Sequence, residues 1–182
     1  MKSSQSASVS ATQEDALTPS PSPSPSPSPE PTPELLTEIR FEEVALTRGQ
    51  SIPVYSAPSS TSWRGAKGKA RVSTDDTVWA AGYEAGWMLV MYETSKGSVR
   101  VGYVSCADVL GPLPSLGTLA FEREPLTVSK KTAVTDDVTN KKSTITTLKK
   151  GTEVTKLCSW EDWIYIETSV KGKTVRGFIP AQ

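Results

Sequence analysis

From Glu34 onward, short runs rich in Val, Ile, Tyr, Trp and Thr alternate with Gly, Lys, Ser and Asp. No window sustains a helical period, and at most Leu35-Leu36-Thr37-Glu38-Ile39 makes one helical turn. Period-two patterning with frequent turn residues predicts β-strands joined by short loops. In Trp163-Ile164-Tyr165-Ile166-Glu167, alternation sets Ile164 and Ile166 on one face and Trp163, Tyr165 and Glu167 on the other. The face that carries Glu167 is the outer one, so Ile164 and Ile166 are core. By the same register Met88, Val90 and Tyr92 point inward, while Trp87, Leu89 and Met91 point outward. That second outer face is more apolar than solvent contact favours.

The β-rich region reads as two copies of one pattern. The first copy runs through Trp87-Met88-Leu89-Val90-Met91-Tyr92-Glu93-Thr94-Ser95-Lys96-Gly97, then Arg100, then Gly102-Tyr103-Val104. The second runs through Trp163-Ile164-Tyr165-Ile166-Glu167-Thr168-Ser169-Val170-Lys171-Gly172, then Arg176-Gly177-Phe178-Ile179. Each has a Trp-led strand, a Glu-Thr-Ser hinge, a Lys-Gly turn and a Gly-aromatic-aliphatic strand. A period of about 75 residues fits tandem domains and is too long for a solenoid. Between the copies lies Gly111-Pro112-Leu113-Pro114-Ser115-Leu116-Gly117, a short linker. The second copy stops at Pro180-Ala181-Gln182, whereas the first continues as Ala107-Asp108-Val109-Leu110. If that extension is a final strand, the second copy has an open edge. An open edge is a pairing template that native proteins cover. The expectation is therefore that the two domains pack on each other near that edge, with the segment before or after the linker as its cover.

Ahead of the β-rich region, residues 1–18 offer little to bury, and proline occupies every odd position from Pro19 to Pro33. Such a run cannot build helix or sheet. It adopts extended polyproline geometry, spanning about 45 Å over 15 residues, and serves as a stiff stalk. Prolines spaced by two do not line one face of a three-residue-per-turn helix, so the run is a poor match to proline-reading domains. The expected organisation is 1–34 as a disordered Ser/Pro-rich tail and stalk, 35–112 as a first domain and 113–182 as a second.

Composition narrows the chemistry. The chain has 182 residues and no histidine, which removes Ser-His-Asp and Cys-His catalysis. It also leaves the two cysteines, Cys106 and Cys158, unable to close a tetrahedral zinc site. These cysteines are either buried free thiols or an inter-domain disulfide. Twenty basic and twenty acidic residues give zero net charge, without the basic excess of a nucleic-acid binder. The region from residue 118 is the more basic one, with Lys130, Lys131, Lys141, Lys142, Lys149 and Lys150 either solvated or turned to an anionic surface. The carboxylate pairs Asp75-Asp76, Asp136-Asp137 and Glu161-Asp162 read as turn residues, because adjacent carboxylates on a strand face opposite ways. The expectation is no enzyme, no catalytic residue, no cofactor and no metal. No stretch is long and apolar enough to span a membrane, and the residues behind Met1-Lys2-Ser3-Ser4 form no signal peptide.

Val54-Tyr55-Ser56-Ala57-Pro58, Thr77-Val78-Trp79, Gly86-Trp87-Met88-Leu89-Val90 and Gly102-Tyr103-Val104 together resemble the bacterial SH3-like (SH3b) family. The first copy, with Arg64-Gly65-Ala66-Lys67-Gly68-Lys69-Ala70 before its Trp strand, is most similar to tandem repeats of exported Firmicutes-type proteins. The resemblance covers residues 46–110 and 124–182. The second copy departs from it, offering Thr135-Asp136-Asp137 in place of the Ser-x-Pro loop. The resemblance implies an all-β chain of two tandem SH3-like small barrels. It also implies an extracellular or cell-surface module that binds a cell-wall polymer or surface peptide, peptidoglycan among them. A structural adaptor that spaces or joins proteins without a small ligand is the alternative.

Candidate ligand contacts are the aromatics Tyr55, Trp63, Tyr83, Trp87, Trp160, Trp163 and Tyr165, since flat rings offer rigid contact area to sugars, peptides or proline. The strand tryptophans Trp87 and Trp163 are either platforms in a groove or are covered by a loop or by the other domain.

Overall fold

The computed structural model describes residues 34–139 and 143–181. The proline-rich stalk, together with Lys141 and Lys142, lies outside them. The described chain is all-β. Its first half contains β1 (Glu42–Val44), β2 (Ser51–Pro53), β3 (Arg71–Ser73), β4 (Val78–Glu84), β5 (Trp87–Glu93) and β6 (Val99–Ser105). The second contains β7 (Glu124–Thr127), β8 (Thr132–Val134), β9 (Thr146–Leu148), β10 (Glu153–Trp160), β11 (Trp163–Val170) and β12 (Lys173–Pro180). The sheet orders β1-β4-β5-β6 and β7-β10-β11-β12 repeat one another, as do the hairpins β2-β3 and β8-β9. In each half the four-stranded and two-stranded sheets stay separate, so neither ladder closes into a continuous barrel.

One bridge brings each small sheet beside its large one, Tyr55 with Tyr103 and Thr135 with Phe178. The glycine of the repeated Gly-aromatic motif makes that approach possible. A Cβ on Gly102 would sit 2.7 Å from the Tyr55 carbonyl oxygen, and one on Gly177 would sit 2.8 Å from that of Thr135.

Alternation along the long strands creates three apolar clusters. Ile52, Val72, Val78, Met88, Val90 and Tyr92 fill the first half. Val128, Val134, Val154, Ile166 and Ile179 fill the second. The third takes the opposite faces of the same strands: Leu89, Val101 and Tyr103 from one half meet Leu157, Tyr165 and Phe178 from the other. The inward sets Met88/Val90/Tyr92 and Ile164/Ile166 do line the cores of their halves. The outward sets do not face solvent, because the other half covers them.

Both central strands bulge at the same place, β4 between Ala80 and Gly82 and β10 between Lys156 and Cys158. Before the bulge each strand pairs with its own half, β4 with β1 and β10 with β7. Beyond it the strand bends away, and the free edge is taken by a segment leading into the other half. Tyr83 N–H donates to the Gly117 carbonyl at 2.9 Å and the Leu119 N–H donates to Tyr83 at 2.7 Å. Reciprocally, Ser159 N–H donates to Thr37 at 2.9 Å and Ile39 N–H donates to Ser159 at 3.0 Å. Residues 35–39, read as at most a helical turn, are therefore extended and bridge the sheets.

Two expectations about the chain's ends need correction. Residues 107–110 make no strand: Cys106–Asp108 form a 3-10 turn and Val109 plugs the first core. The β12 edge is not covered by the linker, which pairs with Tyr83. Thr135 covers it at Phe178, and the Trp63 N–H donates to the Thr174 carbonyl at 3.1 Å. Both cysteines carry free thiols, Cys158 buried and Cys106 half-buried.

Candidate functional site

The seven candidate aromatics separate into junction packing and a cleft. Tyr165 is 1% exposed and stacks on Phe178 with ring centroids 4.7 Å apart, so it is a core residue and is withdrawn as a ligand contact. The physical reason is the docking of the first half onto the face that alternation alone assigns to solvent. Trp160 packs edge-on to Phe41 at 5.3 Å and against Phe178 at 5.5 Å. Tyr83 packs beside the first core and its hydroxyl donates to the Pro114 carbonyl at 2.6 Å, which ties down the linker. Trp87 and Trp163 are half-buried against the junction cluster. Trp163 also borders a recess of about 200 Å³ with Lys130, Lys131 and Pro180.

Tyr55 and Trp63 do come together. They line a cleft of about 730 Å³ between the halves, with Ile145, Val170, Lys171 and Lys173 on the far wall. That volume lies in the usual range of ligand sites. Trp87 supports Tyr55 edge-on at 5.4 Å. The Arg64 guanidinium lies 4.7 Å from the centre of the Tyr55 ring, a cation–π placement. Its Nε donates to the Val54 carbonyl at 3.3 Å and a terminal nitrogen donates to the Ala70 carbonyl at 2.8 Å. The cation is thus held by backbone before any ligand arrives. The Ser56 hydroxyl donates to the Thr174 carbonyl at 3.3 Å, which fixes the aromatic loop to β12.

No family model, curated protein or solved structure matches this chain.

Sequence reasoning missed the cations. Arg64, Lys67, Lys171 and Lys173 line the cleft and no carboxylate does. The signal was present in Arg64-Gly65-Ala66-Lys67-Gly68-Lys69-Ala70-Arg71, four cations in eight residues, and in Lys171-Gly172-Lys173. The first stretch stands out as a Gly-containing segment ahead of the Trp strand and the second as the repeated Lys-Gly turn, and neither pattern by itself marks a charged groove. The turn that presents Lys67 is strained. Ala66 and Lys67 sit at φ 51° and 56°, followed by Gly68 at 86°. Left-handed backbone costs a non-glycine residue roughly 1–2 kcal/mol, and such strain concentrates at functional sites.

The carboxylate pairs serve turns and ion pairs. Asp75 accepts from the Gly49 N–H at 2.9 Å, Asp136 pairs with Arg100, and Asp137 accepts from Thr139. Among the described residues no group of three or more metal-ligating side chains gathers.

The strongest electrostatic feature lies in the junction. Arg176 is 3% exposed. It donates to Glu84 of the first half at 2.5 and 3.0 Å, to Glu167 at 2.7 Å and to the Tyr103 hydroxyl at 2.7 Å. Burial alone raises the Glu84 carboxyl. The Arg176 hydrogen bonds and charge, with the Tyr103 hydroxyl and Arg123, outweigh it and hold Glu84 below its ordinary value. Every partner named is a protein group. Glu167 and Arg123 also border a groove of about 520 Å³, but Arg176 is buried and joins the halves through Glu84, so the network locks the halves together.

Proposed function

We propose that this chain is a non-catalytic binding module of the cell envelope or extracellular space, which recognises a cell-wall polymer such as peptidoglycan, or a surface peptide, through the cleft between its halves. The observation that carries the reading is the meeting of Tyr55 and Trp63 with four cations in one groove. Flat aromatic edges suit sugar rings and peptide planes, and fixed cations suit anionic substituents. The SH3b resemblance of both copies points the same way. A chain without histidine lacks the commonest general base, which favours binding over turnover.

Sedimentation with purified cell walls tests it. The full chain is expected to pellet with the walls, and Trp63→Ala to remain largely in the supernatant while keeping its melting temperature within a few degrees. A wild-type chain that stays in the supernatant with walls of every type tried overturns the reading. Exposed Leu110 and Leu113, at 66% and 44% on the connector, favour the adaptor as second reading. It predicts instead that Leu110→Ser and Leu113→Ser abolish binding to a protein partner.

A further inference from the structure

The cleft has a neighbour. On the other side of the strained turn lies a second groove of about 420 Å³, bordered by Lys69, Arg71, Lys96 and Arg100. Its single carboxylate, Asp136, is already paired with Arg100. Gly65–Arg71 forms the wall between the two grooves, contributing Lys67 and Gly68 to one and Lys69 and Arg71 to the other. Eight cations therefore flank one ridge, in a chain whose net charge is zero.

Ordinary surfaces intersperse both signs, because like charges left together repel. This ridge holds its cations close, and it does so on a backbone that keeps Ala66 and Lys67 in left-handed conformation. Arg64 is fixed by backbone carbonyls, and Lys171 and Lys173 come from the β11–β12 turn of the other half. A single small anion needs only one such groove. Cations in two grooves separated by a ridge match a ligand whose negative charges repeat along a chain.

We propose that the ridge Gly65–Arg71 is the track for an anionic glycan, which lays a sugar ring against Tyr55 and Trp63 and spaces its anionic groups over the cations of both grooves. This rests on the polymer-binding reading above and names the ligand class within it. A phosphodiester-linked polyol or glycan and a uronic-acid glycan share the chemistry, a flexible polyhydroxylated chain with regular negative charge.

The test titrates the full chain by calorimetry with a glycerol-phosphate polymer, polygalacturonate, dextran and single-stranded DNA. It uses wild type, Lys67→Glu/Lys173→Glu, and Lys150→Glu, which reverses an exposed charge on neither groove. All three lysines are exposed, so the substitutions leave the cores intact, and a thermal melt verifies that. Binding of either anionic polymer that weakens tenfold or more in Lys67→Glu/Lys173→Glu, and less than twofold in Lys150→Glu, supports the track. The polymer preferred tells phosphate from carboxylate as the source. Dextran binding as tightly as the anionic polymers overturns it, and so does an equal loss in both variants. DNA binding more tightly than either glycan overturns the glycan assignment. Cell-wall retention is read on the same proteins. Walls that hold wild type and Lys67→Glu/Lys173→Glu alike sink the anionic track and leave the binding module standing. Walls that hold neither remove the module itself.

Discussion

Replacing Arg176 by Met keeps an unbranched apolar stem, shortens it by the guanidinium end and deletes the charge at the centre of the junction. Glu84, Glu167 and the Tyr103 hydroxyl lose their shared donor. Removing one partner of a buried ion pair costs about 3–5 kcal/mol, chiefly through the charge left behind. Two features hold this case near the lower bound. The Glu84 and Glu167 side chains keep 17% and 23% exposure, and Arg123 already reaches both, at 3.5 and 3.3 Å. Loss of the cation beside the Tyr103 and Phe121 rings, 5.4 and 5.6 Å away, adds about 0.5–1 kcal/mol. A total cost of about 3.5–4 kcal/mol against a urea slope of about 2 kcal/mol per M lowers the midpoint by about 1.8–2 M. Adding Glu84→Gln removes the stranded carboxylate, so the double variant should regain part of the loss. Acid gives a second readout. The folded Glu84 carboxyl lies below its ordinary value of 4.5, so its stabilisation is complete above the unfolded pKa and is lost as pH falls through the folded one. The gap between wild type and Arg176→Met should therefore narrow as pH drops below about 4.5. A midpoint shift under 0.5 M, or a gap that widens in acid, refutes the view that the network holds the halves together.

Other outcomes follow from the same packing. Ile166→Ala, at a site with no exposure, should cost about 2–5 kcal/mol by urea unfolding, and half-buried Trp163→Ala less. The opposite order would mean that the strand faces are misassigned. The thiol of Cys158 is buried and pushed up to about 12 by that burial, so at pH 8 Cys106 should react with a thiol reagent many times faster, as peptide mass spectrometry would read. Equal rates would show that the junction opens readily. Residues 118–182 made alone expose Leu157, Cys158, Tyr165 and Phe178 and leave Arg176 without Glu84. Amide exchange at Phe178 and Ile179 should then be far faster than in the full chain, and equal protection would mean that the second half folds without the first.

The strands and their inward faces were legible because period-two alternation is local: Met88, Val90 and Ile166 sit in the cores that alternation gives them. The opposite faces were not legible, because what covers Leu89 and Tyr165 comes from some 75 residues away and alternation says nothing about docking. The apolar surplus at Leu89 and Met91 was the available hint, and in the second copy Glu167 masked it. Glu167 is tolerated in the junction because Arg176 and Arg123 both pair with it and its side chain keeps 23% exposure. Of the aromatics, Tyr55 and Trp63 fell together because their loop is pinned to β12 at the Thr174 carbonyl, by the Trp63 N–H and the Ser56 hydroxyl, a contact that no local hydrophobic pattern records. The cations escaped for the opposite reason. Lys and Gly in short turns are usually solvated, and only the fold sets the Lys171 turn of one half opposite the Lys67 turn of the other.

The two halves are alike in topology and deliberately unlike at their contact. By strand register Val101 in β6 corresponds to Arg176 in β12, since each faces the fifth residue of its Trp-led strand, Met91 or Glu167. Glu84 corresponds to Trp160, each opposite the strand's leading tryptophan, Trp87 or Trp163. Where one half offers carboxylate and aliphatic, the other offers indole and guanidinium. Two first halves meeting in the same way would bury Glu84 against Val101, with no cation in reach. Two second halves would bury Arg176 against Trp160, with Glu167 alone to answer it. Only the mixed pair satisfies the charge on both sides. The stranded charge costs each like pair more than its apolar contacts alone would suggest, because a buried ion without its partner carries most of its desolvation penalty. Specificity of this kind comes from penalising wrong partners as much as from favouring the right one. It also explains why the aromatic cleft belongs to neither half: Tyr55 and Trp63 of the first face Lys171 and Lys173 of the second, so the asymmetry that selects the mixed pair is what sets the second half's cations opposite the first half's ridge.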